Sequence, residues 1–160
     1  MTVITLTYPE GRIDRGQRAA LATSLTDAVL EVECGQVVAP ARAGFQVHFR
    51  PLASDGMAIG GQLVADSSVD IMLVDVAVMD GHWPASDRKR VIENLYATLC
   101  RVLDVAKAPP SWWVNFRVIE EGSWGSRGRV LSVLDLLDTG AFTHERAEQI
   151  KRSMRGADGA

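Results

Sequence analysis

Hydrophobic and polar residues alternate in the first segment of the chain and then change to helical spacing. Residues 2–8 alternate with a period of two, which predicts a half-buried β-strand. The apolar positions of this strand are Ile4, Leu6 and Tyr8. A helix is predicted from Asp14, which we interpret as its N-cap, to a stop at Gly35. A second strand is predicted at residues 45–50.

The same order of patterns returns after a glycine-rich connector. Residues 71–79 are so apolar that they predict a strand buried on both faces. A second helix follows, for which Ser86 or Asp87 is the predicted N-cap. Pro109-Pro110 ends the helical pattern, and residues 112–119 form the fourth predicted strand.

Alignment of the two halves indicates an internal duplication. Glu10-Gly11-Arg12 falls on Asp80-Gly81-His82, and Gln46–Arg50 falls on Trp113–Arg117. Because these segments keep their order at nearly constant spacing, chance alternation does not explain them. The sequence therefore predicts a tandem β-α-β repeat.

The duplication predicts one domain over residues 1–140, built from units at about 2–61 and 71–131. Residues 141–160 are predicted to form a C-terminal helix and a disordered tail. A helix that joins two strands in a right-handed crossover leaves them parallel. We therefore predict the α/β class with two layers, in which a four-stranded, mainly parallel sheet carries two helices on one face.

The opposite face of that sheet has no covering element in this arrangement. Val74, Val76 and Val78 are expected to make its third strand apolar there as well. An exposed apolar sheet face is typical of a subunit interface, so the sequence predicts an oligomer.

Composition narrows the classes of partner and compartment. A net charge of −3 over 160 residues does not favour nucleic acid or an anionic membrane as the partner. No apolar run approaches the roughly 20 residues of a membrane-spanning helix, and the N-terminus lacks the pattern of a signal peptide.

Cys34 and Cys100 are interpreted as buried thiols rather than a disulfide or metal pair, which favours the cytoplasm. No phosphate-binding or metal-ligand spacing is present, so we expect no cofactor and no metal.

Several motifs resemble one enzyme family. Tyr8–Arg12, followed by a helix with Leu25–Val29, resembles the opening of the 4-oxalocrotonate tautomerase superfamily. Trp113–Phe116, which runs without a gap to Gly128–Leu131, is similar to a stretch of the cis-3-chloroacrylic acid dehalogenases, as is Gln46–Phe49 in the first half. The resemblance implies an enzyme that acts on a small molecule. It also implies a homotrimer whose uncovered sheet faces pack into a barrel-like core.

The residues that carry the family's chemistry are mostly replaced. That chemistry rests on an N-terminal proline exposed by removal of the initiator methionine, and the matching residue here is Thr2. If Met1 is removed, the Thr2 amine would titrate near ~7.7–8.0 and could serve as a base. The histidine, tyrosine and glutamate expected of the dehalogenases are Val29, Asn115 and Ser126, and their two arginines are absent after the third strand. Hydration-dependent dehalogenation is therefore not expected.

Two turns that match in the repeat supply the predicted catalytic side chains. Arg12 and His82 each follow the carboxyl end of a strand, where ligands of α/β sheets often bind. A guanidinium and an imidazole can hold a carboxylate or polarise an enol. The alternative is that Arg12 pairs with a neighbouring acid and His82 is solvated. With Thr2, these residues form the predicted catalytic set.

The predicted substrate-binding residues lie in and after the fourth strand. They are Asn115, Trp124, Ser126, Arg127 and Arg129. Trp124 either walls a pocket for a planar substrate or packs in the core. The two arginines either bind an acidic substrate or pair with nearby glutamates.

Two hypotheses from different classes follow. The first is an enzyme on the tautomerase scaffold that acts on a small enolisable or unsaturated carboxylate or ketone without a catalytic proline. The second is a non-catalytic trimeric binding or assembly protein that kept the scaffold and lost the chemistry.

Overall fold

The computed structural model describes residues 1–157 and contains both predicted strand–helix–strand units. In chain order the elements are β1 (Thr2–Pro9), α1 (Arg15–Glu33), α2 (Ala39–Arg42), β2 (Phe45–Leu52), β3 (Ala58–Ile59), β4 (Gln62–Leu63), β5 (Met72–Met79), α3 (Ala85–Leu103), β6 (Trp112–Ile119), β7 (Gly125–Ser126), β8 (Arg129–Val130) and α4 (His144–Ala157). Short 3-10 helices occupy Ser54–Gly56, Val64–Asp66 and Val133–Thr139.

The two long helices begin in different ways. Asp14 caps α1, because its side chain accepts a 2.8 Å hydrogen bond from the Gln17 amide while its own amide donates to Gln17 Oε1. The predicted N-cap is confirmed there. In α3 the prediction of Ser86 or Asp87 is wrong, since Pro84 holds the cap position. Its extended backbone places its carbonyl to accept from the Asp87 amide at 3.0 Å, so the helix begins earlier.

The sheet has the strand order β2-β1-β5-β6. The pairs β1–β2 and β5–β6 are parallel, as the crossover argument predicts, while the central pair β1–β5 is antiparallel. In that central pair Thr2 lies opposite Val78 and Thr7 lies opposite Leu73. The carboxyl ends of β1 and β5 therefore reach opposite ends of the sheet, and the matching turns of the two units are far apart in one chain.

The main core lies between the sheet and the helices α1 and α3. Its strand residues alternate with outward-facing ones, as a period of two requires. Val74, Val76 and Val78 are all buried on this helix-covered side. The prediction that these valines make the uncovered face apolar is therefore wrong, because the residues between them occupy that face.

The uncovered face carries a polar row that crosses all four strands. Thr5 pairs with His48 on one side and with Asp75 on the other, and Asp75 pairs with Asn115. The Asn115 amide donates to Asp75 Oδ1 at 3.2 Å. Trp113, on the same face of β6, is 58% exposed. This face is thus mixed rather than uniformly apolar.

A second hydrophobic cluster covers the end of the sheet where β1 begins. Its buried members are Leu30, Cys34, Ala41, Met79, Leu131, Val133, Leu136, Leu137, Ala141, Phe142, Ala147 and Ile150. The helix α4 packs in this cluster, to which it contributes Ala147 and Ile150. The boundary at residue 140 stays a prediction, and the end of the predicted disordered tail, residues 158–160, lies outside the described residues. None of the helices in residues 1–157 is long and apolar enough to span a membrane.

Candidate functional site

A cavity of about 340 Å³ lies where β1 begins, α1 ends and the β7–β8 hairpin approaches the sheet. We call it the N-terminal cavity. Residues with polar side chains in its lining are Glu33, Gln46, Ser126, Arg127 and Thr139. Apolar residues that line it include Pro40, Ala41, Phe45, Leu136 and Phe142. The cavity therefore combines one carboxylate, one guanidinium and a hydrophobic wall.

Glu33 is the buried acid of this cavity. Glu33 is 5% exposed, and both of its carboxylate oxygens accept hydrogen bonds from the first two residues of the chain. The Met1 α-amino group donates to Oε1 at 2.9 Å, and the Thr2 hydroxyl donates to Oε2 at 2.6 Å. A buried carboxylate needs such donors, because an unpaired charge in the interior is strongly destabilising.

The position of Glu33 at the end of α1 is electrostatically unfavourable on its own. The C-terminal end of a helix carries the negative pole of the macrodipole, and a carboxylate there costs about 0.3–1 kcal/mol. The ion pair with Met1 and the hydrogen bond from Thr2 offset this cost.

Cys34 also lines the N-terminal cavity but is not a nucleophile there. Burial, and after it the neighbouring charge of Glu33, raise the pKa of its thiol from 9.0 to about 12. The thiolate is the reactive form of cysteine, so this thiol is inert near neutral pH.

The β7–β8 hairpin brings two predicted substrate-binding residues to the cavity. Arg127 and Gly128 have φ angles of 55° and 74°, and they join two strands in which Ser126 pairs with Arg129. Two consecutive positive φ values are characteristic of the tight type I′ hairpin turn. This turn presents Ser126 and Arg127 to the cavity, close to the start of β1.

Trp124 and Arg129 are placed outside the cavity lining. The Arg129 guanidinium pairs with Asp135 at 3.5 Å. Trp124 is half-buried and packs on the second hydrophobic cluster. Of the predicted residues, Ser126 and Arg127 thus line the cavity, and the buried Thr2 contacts it only through its hydrogen bond to Glu33.

Arg12 lies at the opposite end of the sheet, where Asp70 binds it. Its Nε is 3.0 Å from Asp70 Oδ1, and its Nη2 is 3.0 Å from Oδ2. The guanidinium also stands over the Trp112 ring, 5.8 Å from the ring centroid. Two-point pairing of this kind fixes an arginine in place.

His82 lies at the same end of the sheet as Thr2 but lines a different cavity, of about 580 Å³, between the end of α1 and α4. Its backbone is left-handed, with φ 63°, and its carbonyl accepts a 2.7 Å hydrogen bond from Arg146. Asn115 lies on the uncovered sheet face, where it donates to Asp75. Within one chain, His82 and Asn115 are therefore separate from the N-terminal cavity.

Sequence reasoning did not identify Glu33, Asp70 or Arg146. For Glu33 a signal was available, because a carboxylate follows Val32 at the end of a helix whose apolar stripe is buried. Asp70 and Arg146 are distant in sequence from the groups that they bind, and no local pattern marks them.

Of three comparisons with known proteins, the one with solved structures gives matches, and these agree with the fold. No protein-family model matches the sequence. A search of curated proteins gives no match. Among solved structures, N1, a member of the cis-3-chloroacrylic acid dehalogenase (cis-CaaD) family, is 20% identical with a TM-score of 0.68, and the match covers 94% of this chain and 99% of that chain.

Two further solved structures give similar agreement. The Q0 fused 4-OT symmetric trimer is 18% identical with a TM-score of 0.66, covering 82% of this chain and 96% of that chain. Pt0534, inactivated by 2-oxo-3-pentynoate, is 18% identical with a TM-score of 0.64, covering 80% and 94%. The chain has the tautomerase-superfamily fold, as the sequence resemblance predicted.

Proposed function

We propose that this chain is a tautomerase-type enzyme that moves a proton on a small enolisable or unsaturated carboxylate or ketone, without a catalytic proline, at the N-terminal cavity. The observation that carries the proposal is the buried Glu33 carboxylate beside the Met1 amine and the Thr2 hydroxyl, in a cavity that Arg127 also lines. Such a reaction needs a proton acceptor and a cation that binds the substrate carboxylate. Glu33 and Arg127 supply these two groups.

The proposed step is a proton transfer through Glu33. Glu33 removes a proton from the carbon next to the substrate carbonyl, and the electron pair of that C–H bond forms the enolate. Glu33 then returns the proton to the enolate oxygen, so no atom is gained or lost, and ketonisation of an enol is the same proton transfer in reverse. The Thr2 hydroxyl orients the carboxylate, Arg127 binds the substrate carboxylate, and Ser126 provides a further polar contact.

The mature N-terminus determines whether an amine shares this role. If the cell removes Met1, Thr2 supplies the terminal amine, which titrates near ~7.7–8.0. Intact-mass measurement distinguishes the two forms. To test whether a terminal amine of this chain reacts, the protein is treated with 2-oxo-3-pentynoate, the compound that inactivated Pt0534. Peptide mapping after treatment with this compound shows whether a terminal amine of this chain is modified.

For the remaining predicted residues we propose a role that involves a second subunit. Arg12, His82 and Asn115 lie away from the N-terminal cavity in one chain, and Trp124 and Arg129 lie outside its lining. We propose a homotrimer, in which such residues can reach the cavity of a neighbour. Support comes from the fused 4-OT structure described as a symmetric trimer. Sedimentation analysis measures the assembly state.

We also propose that the protein works in the cytoplasm on a small-molecule substrate. Both cysteines are free thiols in the described part of the chain, and Cys34 is buried. Free thiols suit a reducing compartment.

The test of the proposed function compares two glutamates of α1. Ketonisation of phenylenolpyruvate is followed by ultraviolet absorbance for the unmodified protein, Glu33→Gln and the matched control Glu31→Gln. Glu31 is exposed and lies on the same helix. We expect Glu33→Gln to lower kcat/KM by about 100-fold or more, since general base catalysis contributes about 10²–10⁴-fold. We expect Glu31→Gln to leave kcat/KM unchanged.

Full activity in folded Glu33→Gln would contradict the role of Glu33. The absence of turnover in the unmodified protein would favour the non-catalytic alternative.

A further inference from the structure

Arg146 is a buried cation of α4 whose hydrogen bonds join distant segments of the chain. The residue is 5% exposed. Its Nε donates to the backbone carbonyl of Glu33 at 3.0 Å, and its Nη2 donates to the carbonyls of Gly81 and His82 at 3.0 and 2.7 Å. Its Nη1 donates to Gln149 Oε1 at 3.3 Å. One side chain thus ties the end of α1 and the turn after β5 to the C-terminal helix.

The surroundings of Arg146 confine its guanidinium further. The group stands over the Trp83 ring, 5.6 Å from the centroid, and its Nη1 lies 3.7 Å from Asp87 Oδ2. Burial lowers the pKa of Arg146, while the charges of Asp87 and Glu33 oppose that shift. An arginine stays protonated in such a site, so the positive charge is permanent.

The Arg146 guanidinium lies at the C-terminal end of α1, where a positive charge is stabilising. The last carbonyls of a helix lack partners within the helix, and the helix end attracts positive charge. Arg146 binds the Glu33 carbonyl there and adds a positive charge near the buried Glu33 carboxylate. It also holds the left-handed backbone of His82, a conformation that is unfavourable for a residue other than glycine.

We propose that Arg146 is a positioning residue for Glu33, which fixes the end of α1 and so sets the Glu33 carboxylate at the N-terminal cavity. The proposal rests on the proposed function. Arg146 is not among the residues that line the cavity, so it acts through Glu33 and not on the substrate.

The experiment compares Arg146→Met and Arg146→Lys with the control Arg152→Met. Arg152 is exposed on the same helix, and its Nε donates to the Glu148 carbonyl within that helix. We expect kcat for phenylenolpyruvate to fall on the order of 10- to 100-fold in Arg146→Met, because a displacement of about 1 Å at a catalytic group has effects of that size. KM should stay within about twofold, because the substrate contacts at Arg127 are unchanged. Lysine keeps the charge and should recover part of the loss, whereas the control should not change.

Hydrogen–deuterium exchange supplies a second readout that does not depend on turnover. Arg146→Met should exchange faster at residues 30–34 and 81–83 than the unmodified protein, with no change in β2. Unchanged exchange at those residues would overturn the proposal.

An unchanged kcat in the folded Arg146→Met variant, when Glu33→Gln is inactive, would also overturn it, since Arg146 would then be only structural. If Arg146→Met does not fold, Arg146→Lys alone is used, and an unchanged kcat and exchange would have the same meaning. If the unmodified protein shows no turnover, the proposed function fails, and exchange alone decides whether Arg146 fixes the end of α1.

Discussion

The hydroxyl of Thr2 donates a 2.6 Å hydrogen bond to the buried carboxylate of Glu33, so the first residue of β1 holds the last residue of α1. The bond joins residues that are 31 positions apart in the sequence. Thr2 is itself fully buried, and its side chain points to the helix-covered side of the sheet. The polar contact therefore lies within the packed interior.

Thr2→Val should destabilise the protein. Valine keeps the shape of threonine but cannot donate to Glu33, and leaving a buried charged acceptor short of a partner costs about 1–3 kcal/mol. Urea unfolding measures this loss. The control is Thr23→Val at an exposed position of α1, for which we expect a change of at most about 0.5 kcal/mol. Equal effects of the two substitutions would contradict the importance of the Thr2–Glu33 bond.

The stability of the fold should fall at alkaline pH because of Cys34. Burial raises the pKa of its thiol from 9.0 to about 12, so the unfolded chain loses this proton above about pH 9 while the folded chain keeps it. The free energy of unfolding then falls as pH rises between those values, by up to about 1.4 kcal/mol per pH unit from this group. Urea unfolding at pH 7 and pH 10 should show a smaller pH-dependent loss in Cys34→Ala. The same loss in both proteins would argue against the raised pKa.

Arg12 and Asp70 should be energetically coupled. Their side chains are 24% and 29% exposed, which limits the strength of the pair, although two nitrogens of Arg12 engage the carboxylate. A double-mutant cycle with Arg12→Ala and Asp70→Ala should give a coupling energy of about 1 kcal/mol. Additive single effects would rule out the coupling. Turnover in Arg12→Ala tests the catalytic assignment separately, and an unchanged rate would remove Arg12 from the site.

Arg127→Asn should weaken substrate binding more than it alters the chemical step. Asparagine tolerates the left-handed backbone at this position, so the hairpin should persist without the charge. Loss of a charge-assisted bond of about 1.5–3 kcal/mol corresponds to a rise in KM of roughly 10- to 100-fold. Arg15→Asn, at the exposed start of α1, is the control and should leave KM unchanged. Steady-state kinetics on phenylenolpyruvate measures both, and a KM that does not change in Arg127→Asn would exclude the carboxylate role.

Local pattern was sufficient for most of the fold. The alternation from Thr2 and the capping residue Asp14 define β1 and the start of α1, and the structure contains both. The pattern of β5 was misinterpreted at one point, because the strand is so apolar overall that it was taken as buried on both faces. Asp75 is its one charged residue and alternates with the valines, so the sequence did hold a signal that the valines lie on the opposite, helix-covered face.

The site was less predictable because its groups are brought together by tertiary contacts. Arg12 and His82 match in the repeat, but the antiparallel central pair separates them, and that pairing has no local signature in the connector. Ser126 and Arg127 were identified from their loop, whereas Glu33 is recognised only when its partners at the start of β1 are known.

The antiparallel pairing of β1 with β5 has a consequence for how such a chain can diverge. Each duplicated unit places its first turn at its own end of the sheet, so substitutions around Arg12 and Asp70 do not contact those around Glu33. A duplicated gene of this kind can retain a stabilising ion pair in one copy while the other end is free to acquire a different set of polar groups. The two halves share one core, yet their ends can change independently.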